Sequence, residues 1–206
     1  MWKKITLAGA GALVALVVTA GCSSSDSAGE HPAEHSTSAS TTASPAAPSA
    51  EAHNDADVMF AQQMIPHHTQ AVEMSDTLLA KQGIDPRVTE LANQIKAAQG
   101  PEIQQMQGWL TQWGTPSMPP MSGHGDMPGM SGMMSEQDMT ALKDAQGVDA
   151  SKLFLTQMIA HHEGAITMAQ SEIKDGQYPP AVEMARAIVT TQQQEIDTMN
   201  GILSSL

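Results

Sequence analysis

The sequence predicts an all-α protein, a four-helix bundle made from two copies of an αα-hairpin. Three observations predict this fold: two segments recur in the same order, their apolar residues are spaced by three and four, and capping residues precede the helices. One hairpin cannot bury its apolar faces alone, whereas two hairpins packed as a bundle bury the faces of all four helices.

A duplication defines the two hairpins. Residues 60–74 align with residues 154–168 at an offset of 94, and residues 91–110 align with residues 184–203 at an offset of 93. The repeated unit is therefore a pair of helices. In the second copy, the residues predicted to share one helical face are Phe154, Met158, His161, His162, Ala165 and Met168.

Capping residues mark where the helices begin. Asn54 and Ser135 are each followed by Asp three residues later, the pattern of a capping box. Asp85 precedes Pro86, which combines a cap with proline in the first turn. Glycines expected to end helices are Gly83, Gly176 and Gly147, the last of these after a short helix over residues 136–146.

Two prolines interrupt the predicted helices of the first hairpin. Pro66 and Pro101 have no counterpart in the second hairpin. Proline removes a backbone hydrogen bond and crowds the preceding turn, so we expect a kink at each. The pair Gly100-Pro101 could divide the second helix.

The N-terminus predicts an exported lipoprotein. Lys3 and Lys4 precede an apolar run over residues 5–20, and Gly21-Cys22 follows, as in a bacterial lipoprotein signal. The alternative is an uncleaved transmembrane anchor, although the run is shorter than the ~20 residues that a span prefers. Cys22 is the one cysteine of the chain, so no disulfide can form within it. We expect lipidation of Cys22 and attachment to the extracytoplasmic face of the cell membrane.

Composition divides the rest of the chain. The predicted organisation is a signal peptide over residues 1–21, a disordered Ser/Thr/Ala/Pro tether over residues 22–53, and a helical domain over residues 54–205 with a Met-rich loop over residues 114–135 between the hairpins. The chain has 9 Lys and Arg against 22 Asp and Glu, a formal net charge of −13. Such acidity argues against a nucleic-acid partner, which requires basic patches.

The strongest chemical signal is a Met-x-x-His-His motif in each hairpin. The candidate metal ligands are Met64, His67, His68 and Met74 in the first hairpin, and Met158, His161, His162 and Met168 in the second. Thioether is a soft ligand and imidazole a borderline one, a mixture that suits copper, Cu(I) above all, with Cu(II) as the alternative state. The competing interpretation is that the methionines fill the core and the histidines are buried polar groups of structural importance.

The loop between the hairpins carries a second signal. Its candidate ligands are Met118, Met121, His124, Met127, Met130, Met133 and Met134, set among Gly, Pro and Ser. A methionine side chain that has no core to pack into gains little free energy of burial unless it binds a ligand. Weak capture of Cu(I) would be such a role. A linker without function, or a sticky surface that docks another protein, is the alternative.

Acidic residues could support the histidines. The candidates are Glu73, Glu102, Glu163 and Glu195. Glu102 and Glu195, with Gln99 and Gln192, lie at equivalent positions of the second helices, where a capping or salt-bridging role is the alternative. A di-iron oxidase would need Glu-x-x-His, and this chain has Met-x-x-His. No nucleophile motif is present either, so an enzyme is not expected.

These motifs resemble the DUF305 family. The resemblance rests on the two His-His segments and on the Gln-x-x-Glu-Ile-x-x-Met segments around Glu102 and Glu195, and it covers about residues 54–205. It implies a ferritin-like four-helix bundle, usually exported, in a family that includes copper-binding and copper-resistance proteins. The predicted function is a membrane-tethered protein that sequesters or buffers copper, or transfers it to a copper transporter or another copper-accepting protein. The alternative is a structural or interaction lipoprotein.

Overall fold

A computed structural model describes residues 52–116 and 131–206. The helices in these ranges are α1 (Asp55–Leu79), α2 (Pro86–Gln112), α3 (Glu136–Asp144), α4 (Gly147–Asp175) and α5 (Pro179–Leu203). The described regular structure is entirely helical, which confirms the predicted all-α class. Within the same ranges, no helix combines the length and apolarity that crossing a membrane would require. The predicted signal peptide and Cys22 lie outside the described residues.

The four long helices pack as a bundle of two hairpins. α1 packs against α2, α4 packs against α5, and the hairpins meet mainly through α1 and α4, with further contacts between α2 and α5. The C-terminal half of α1 shares a core with the N-terminal halves of α2 and α4 and with the C-terminal half of α5. Each helix is therefore antiparallel to both of its main neighbours, as expected for duplicated hairpins.

The local signals at the helix starts hold. Asn54 and Ser135 form capping boxes with Asp57 and Asp138, and the Asp85 side chain accepts a hydrogen bond from the Arg87 amide ahead of α2. These caps satisfy backbone amides that the first helical turn leaves without partners.

Two expectations about helix breaks are wrong. Gly147 begins α4 and does not end α3, which has its C-cap at Ala145. Gly147 has a φ of +54° and lies against Gly83, whose φ is +72°, so two glycine turns pack together at this end of the bundle. α2 also runs unbroken through Gly100-Pro101, so the suggested division of this helix does not occur, and α1 likewise continues through Pro66.

The hydrophobic core has two parts. Core A includes Ala71, Met74 and Leu78 of α1, Leu91 and Ile95 of α2, Phe154 and Met158 of α4, and Ile196 and Met199 of α5. Core B includes Phe60 and Met64 of α1, Met106 and Trp109 of α2, Ala165 and Met168 of α4, and Met184 and Ile188 of α5. Residues 67–68 and 161–162 fall between these parts in both helices, so a polar layer separates two apolar ones.

Candidate metal centre

The four paired histidines form the polar layer at the middle of the bundle. Each ring is at most 1% exposed. His67 of α1 and His161 of α4 face each other, with ring centroids 3.7 Å apart and ring planes inclined by 39°. This separation is shorter than the usual 4.5–7 Å or so between aromatic rings. The duplicated motifs therefore converge on one layer rather than forming two distant sites.

The second histidine of each pair is held by a glutamate on the partner helix of its own hairpin. His68 Nε2 donates to Glu102 Oε2 at 2.8 Å, and His162 Nε2 donates to Glu195 Oε2 at 2.7 Å. A carboxylate that accepts from one ring nitrogen assigns the proton to that nitrogen and leaves a lone pair on Nδ1. This arrangement orients metal-binding histidines in many proteins, and here the duplication produces it twice.

Several nitrogens of this layer are buried without a hydrogen-bond partner. They are Nδ1 of His67, Nδ1 of His68, Nδ1 of His162 and both ring nitrogens of His161. An unpartnered buried polar group costs about 1–3 kcal/mol. Five such atoms in one layer make a large unfavourable contribution to stability, and a bound metal ion would satisfy those whose lone pairs reach it.

The rings at the centre of the layer are uncharged at neutral pH. Burial lowers the pKa of His67 to about 3, and the neighbouring His68 and His162 add to this, while the Ser131 carbonyl acts in the opposite direction. Burial also holds the pKa of His161 well below its usual value, and the other three rings reinforce the effect. Neutral imidazoles keep the lone pairs that a metal ligand requires.

Methionine sulfur lies on both sides of the layer. Met64 precedes its His pair by one turn and belongs to core B, and Met158 does the same from core A. Met74 and Met168 are also buried but follow the pairs by nearly two turns, roughly 10 Å of helix rise. Met64 and Met158 are therefore the thioethers closest in helical register to the imidazoles.

A short segment ahead of α3, which we call the strap (residues 131–134), crosses the layer. His67 Nε2 donates to the Ser131 carbonyl at 3.2 Å. The Gln70 side chain donates to the Met134 carbonyl at 2.9 Å and accepts from the Met134 amide at 2.8 Å. The strap thus covers His67 and is fastened to α1 by a two-point hydrogen bond.

Glycine at position 164 allows the strap to pass over α4. A Cβ placed on Gly164 would lie 1.9 Å from the Ser131 carbonyl oxygen and 2.8 Å from the Cα of Gly132. Gly132 has a φ of +82°, and a Cβ there would lie 2.6 Å from the Ala160 carbonyl oxygen. Both close approaches involve backbone atoms, so only glycine fits at either position.

The structure places other predicted site residues elsewhere. Glu73 and Glu163 are exposed, and neither has a hydrogen bond to a histidine in the described residues, so support of the rings by these two carboxylates stays a prediction. Met134 is buried in core A, whereas the sequence suggested that the loop methionines have no core to enter. Met133 is half-buried. The loop residues that lie outside the described ranges are Met118, Met121, His124, Met127 and Met130.

The residues that seat the strap were not among those predicted from the sequence. Gln70 and Gly164 occupy aligned positions of the two hairpins, at the offset of 94. One of them fastens the strap and the other makes room for it. The available signal was that Gln70 and Gly164 differ two residues after the repeated His-His pairs.

Imidazole and carboxylate groups alone do not complete a metal site in the histidine layer. In the described parts of the chain, no three His, Cys, Asp or Glu side chains are arranged to hold one ion. The histidines that meet across the layer, His67 and His161, contribute two nitrogens, so a fuller ligand set would draw on thioether sulfur. That donor set fits a soft monovalent ion better than zinc or iron.

A pair of carboxyl groups lies apart from this layer, where α4 and α5 meet α1. Asp57 accepts hydrogen bonds from the amides of Asn54, Gln177 and Tyr178. Burial raises the pKa of Glu172 to about 8, and the adjacent Asp57 carboxylate raises it further in the same direction. Burial would raise the pKa of Asp57 too, but the hydrogen bonds outweigh burial and lower it. Glu172 is therefore largely protonated at neutral pH.

The fold and the buried layer define a class, a helical-bundle protein with a candidate soft-metal centre in its core. The profile of the family described as "Domain of unknown function (DUF305)" matches residues 57–203, well over half of the chain. The chain belongs to the DUF305 family, which confirms the resemblance found in the sequence.

Solved structures agree with this assignment. A DUF305 fragment from Deinococcus radiodurans is 35% identical, with a TM-score of 0.67 over 74% of this chain and 98% of that one. A predicted secreted DUF305 protein from Streptomyces coelicolor is 32% identical, with a TM-score of 0.67 over 73% of this chain and 91% of that one.

A third similar protein, CopM, has been solved with metals. Its Cu(II)-bound form is 30% identical to this chain, with a TM-score of 0.63 over 72% of this chain and 96% of that one. CopM has also been solved with Cu(I), with silver and in an apo form. No curated protein matches the chain.

Proposed function

We propose that this protein binds copper, as Cu(I), in the histidine layer between α1 and α4. The observation that carries the proposal is the set of five buried imidazole nitrogens without hydrogen-bond partners. The neutral rings of His67 and His161 meet at 3.7 Å, and the thioethers of Met64 and Met158 lie one turn from them. Imidazole and thioether together are a donor set for Cu(I).

Similarity to CopM supports the choice of metal. CopM, of comparable fold, has been solved with Cu(I), Cu(II) and silver, and silver is a common substitute for Cu(I). Glu102 and Glu195 would orient His68 and His162 as ligands. Cu(II) binding is the alternative oxidation state.

The proposed role is sequestration, buffering or transfer of copper outside the cytoplasm, without catalysis. The N-terminal sequence would place the protein on the membrane through Cys22, and a similar DUF305 protein is described as a predicted secreted protein. The Met-rich loop would collect Cu(I) at lower affinity and, because it leads into the strap beside His67, would deliver it to the layer. A copper transporter or copper-accepting protein would exchange metal with it.

Competition with a Cu(I) chelator tests the proposal. Met64→Leu with Met158→Leu removes the two nearest sulfurs at nearly constant volume, and we expect Cu(I) affinity to fall at least tenfold. The matched control is Met106→Leu with Met199→Leu, an aligned pair in the two cores, which should leave affinity unchanged. Binding by the unaltered chain no tighter than micromolar would contradict the proposal.

Thermal unfolding separates metal binding from a purely structural role. A ligand that binds the folded state must raise the unfolding temperature. If Cu(I) leaves that temperature unchanged, the buried histidines serve the fold, and an interaction protein becomes the better interpretation.

A further inference from the structure

A cleft between α2 and α5 lies on the outer side of the two glutamates. Its lining residues are Ala98, Gln99, Glu102, Ile188, Thr191, Gln192 and Glu195. Glu102 and Glu195 are 25% and 13% exposed there, so the cleft opens to solvent. It is separate from the contact between α1 and α4 that brings His67 to His161.

The cleft brings together oxygen ligands from both hairpins. Gln99 aligns with Gln192 and Glu102 aligns with Glu195, each at the offset of 93, so the two helices contribute the same pair of side chains. Each carboxylate uses Oε2 for its histidine, and no hydrogen bond engages the other oxygen. Two carboxylate oxygens and two amide oxygens are thus available to one ligand.

The glutamines are an independent sign of a ligand. Gln99 is 2% exposed, and neither atom of its amide has a hydrogen-bond partner. Gln192 is 3% exposed, and its Oε1 is likewise without one. A buried amide normally finds partners, because leaving it unpaired costs free energy. An apolar residue would suit both positions better if nothing bound there.

Charge in the cleft favours a cation. None of its lining residues is Lys or Arg, so the two glutamates line the cleft without a basic side chain among its lining residues. Lys96, on the same helix as Glu102, is paired with Asp76. Oxygen donors and a negative charge select hard cations, whereas sulfur and imidazole select soft ones.

We propose that the α2–α5 cleft binds one hard divalent cation through the carboxylates of Glu102 and Glu195 and the amide oxygens of Gln99 and Gln192. Cations of this class are Mg²⁺, Ca²⁺ and Mn²⁺. The site uses oxygen donors and lies on the outer side of the glutamates that hold His68 and His162, so it does not require copper in the histidine layer. A cation there would also neutralise the carboxylates that hold His68 and His162.

Titration of the full chain with Mn²⁺ tests this site, with free Mn²⁺ measured by its EPR signal. We expect one saturable site per chain, competed by Mg²⁺ or Ca²⁺ and unaffected by Ag⁺. Gln99→Leu with Gln192→Leu preserves size and removes the amide oxygens, and should weaken Mn²⁺ binding at least tenfold. The control Gln105→Leu with Gln194→Leu changes two exposed glutamines on the same helices and should bind as the unaltered chain does.

A second variant guards against misfolding of the first. Glu102→Gln with Glu195→Gln keeps an oxygen that can accept from each histidine and removes both charges, and it should abolish Mn²⁺ binding. No saturable binding below millimolar Mn²⁺, or equal affinity in the Gln99→Leu/Gln192→Leu variant and its control, would overturn the site. Failure of Cu(I) binding with Mn²⁺ binding intact would overturn the proposed function alone.

Discussion

The two hairpins carry the same histidine–glutamate pairs but differ in what covers them. His68–Glu102 and His162–Glu195 have nearly the same geometry, at 2.8 and 2.7 Å. In contrast, His67 donates to the strap, whereas neither nitrogen of His161 has a partner. The duplication thus built a symmetric layer, and the segment that joins the hairpins made it asymmetric.

Two pairs of aligned residues differ between the hairpins in keeping with that asymmetry. Gln70 in the first hairpin fastens the strap, and Gly164 in the second makes room for it. Leu78 in the first hairpin is apolar and buried, whereas the aligned Glu172 in the second is a buried acid beside Asp57. At both pairs of positions, the aligned residues differ where their neighbours differ.

The largest effect is expected from Gly164→Ala. The added Cβ would overlap the Ser131 backbone, so the strap must move, and we expect a loss of roughly 3 kcal/mol in the free energy of unfolding. Urea unfolding measures it. Gly108→Ala and Gly201→Ala are matched controls, since both glycines are helical with open space around them, and these should be neutral or stabilising. If all three variants behave alike, the strap does not pack as described.

A smaller change is expected from Glu172→Gln. The free energies of unfolding of this variant and of the unaltered chain should differ by an amount that varies with pH, on the order of 2 kcal/mol. Because the pKa of Glu172 is raised to about 8 in the folded chain, the folded state holds a proton that the unfolded state releases above about pH 4.5. Its stabilising contribution is complete below pH 4.5 and is lost as the pH rises to about 8. Glutamine does not titrate, so the Glu172→Gln variant does not lose stability in this way as the pH rises.

The comparison of Glu172→Gln with the unaltered chain isolates that contribution. Buried His67 and His161 have lowered pKa values, so they change stability in the opposite direction as the pH rises through the unfolded value near 6.5. They are common to both proteins, and their effect cancels in the difference between the two unfolding free energies. A difference that stays constant from pH 4.5 to 8 would contradict a raised pKa of Glu172 in the folded chain.

The smallest effect is expected from comparing His161→Leu with His67→Leu in metal-free protein. Leucine at 161 removes two unpartnered nitrogens, whereas leucine at 67 also leaves the Ser131 carbonyl without its donor. We expect His161→Leu to be the more stable variant by about 1 kcal/mol. Chemical unfolding with a copper chelator present measures this, and the reverse order would mean that the strap is not hydrogen-bonded to His67.

Much of the fold could be predicted because its signals are local. The capping boxes at Asn54 and Ser135 and the Asp85-Pro86 start depend on neighbours within one turn, and all three form as predicted. The wrong expectation for Gly147 concerned a residue whose role depends on Gly83, far away in sequence. The predicted signal peptide, tether and lipid anchor stay predictions.

The candidate site divides in the same way. Residue type and duplication were enough to select the His pairs, their flanking methionines and the glutamates at 102 and 195. Residue type and duplication could not show that Glu102, and not Glu73, would bond to a histidine. Either carboxylate reaches a ring in one or another arrangement of the helices, and only the pairing of the helices decides between them. For the same reason Met134 could not be assigned to a core before the strap was placed.

The sequence by itself determined the helices, their duplication and the soft donor chemistry, since these follow from spacing and residue type along the chain. Only the tertiary structure decided that the two motifs meet in one layer, that α2 and α5 supply the supporting carboxylates, and that the strap lies over His67. Those features depend on how antiparallel helices set residues from distant parts of the chain at the same height in the bundle, and periodicity along one helix carries no information about that register.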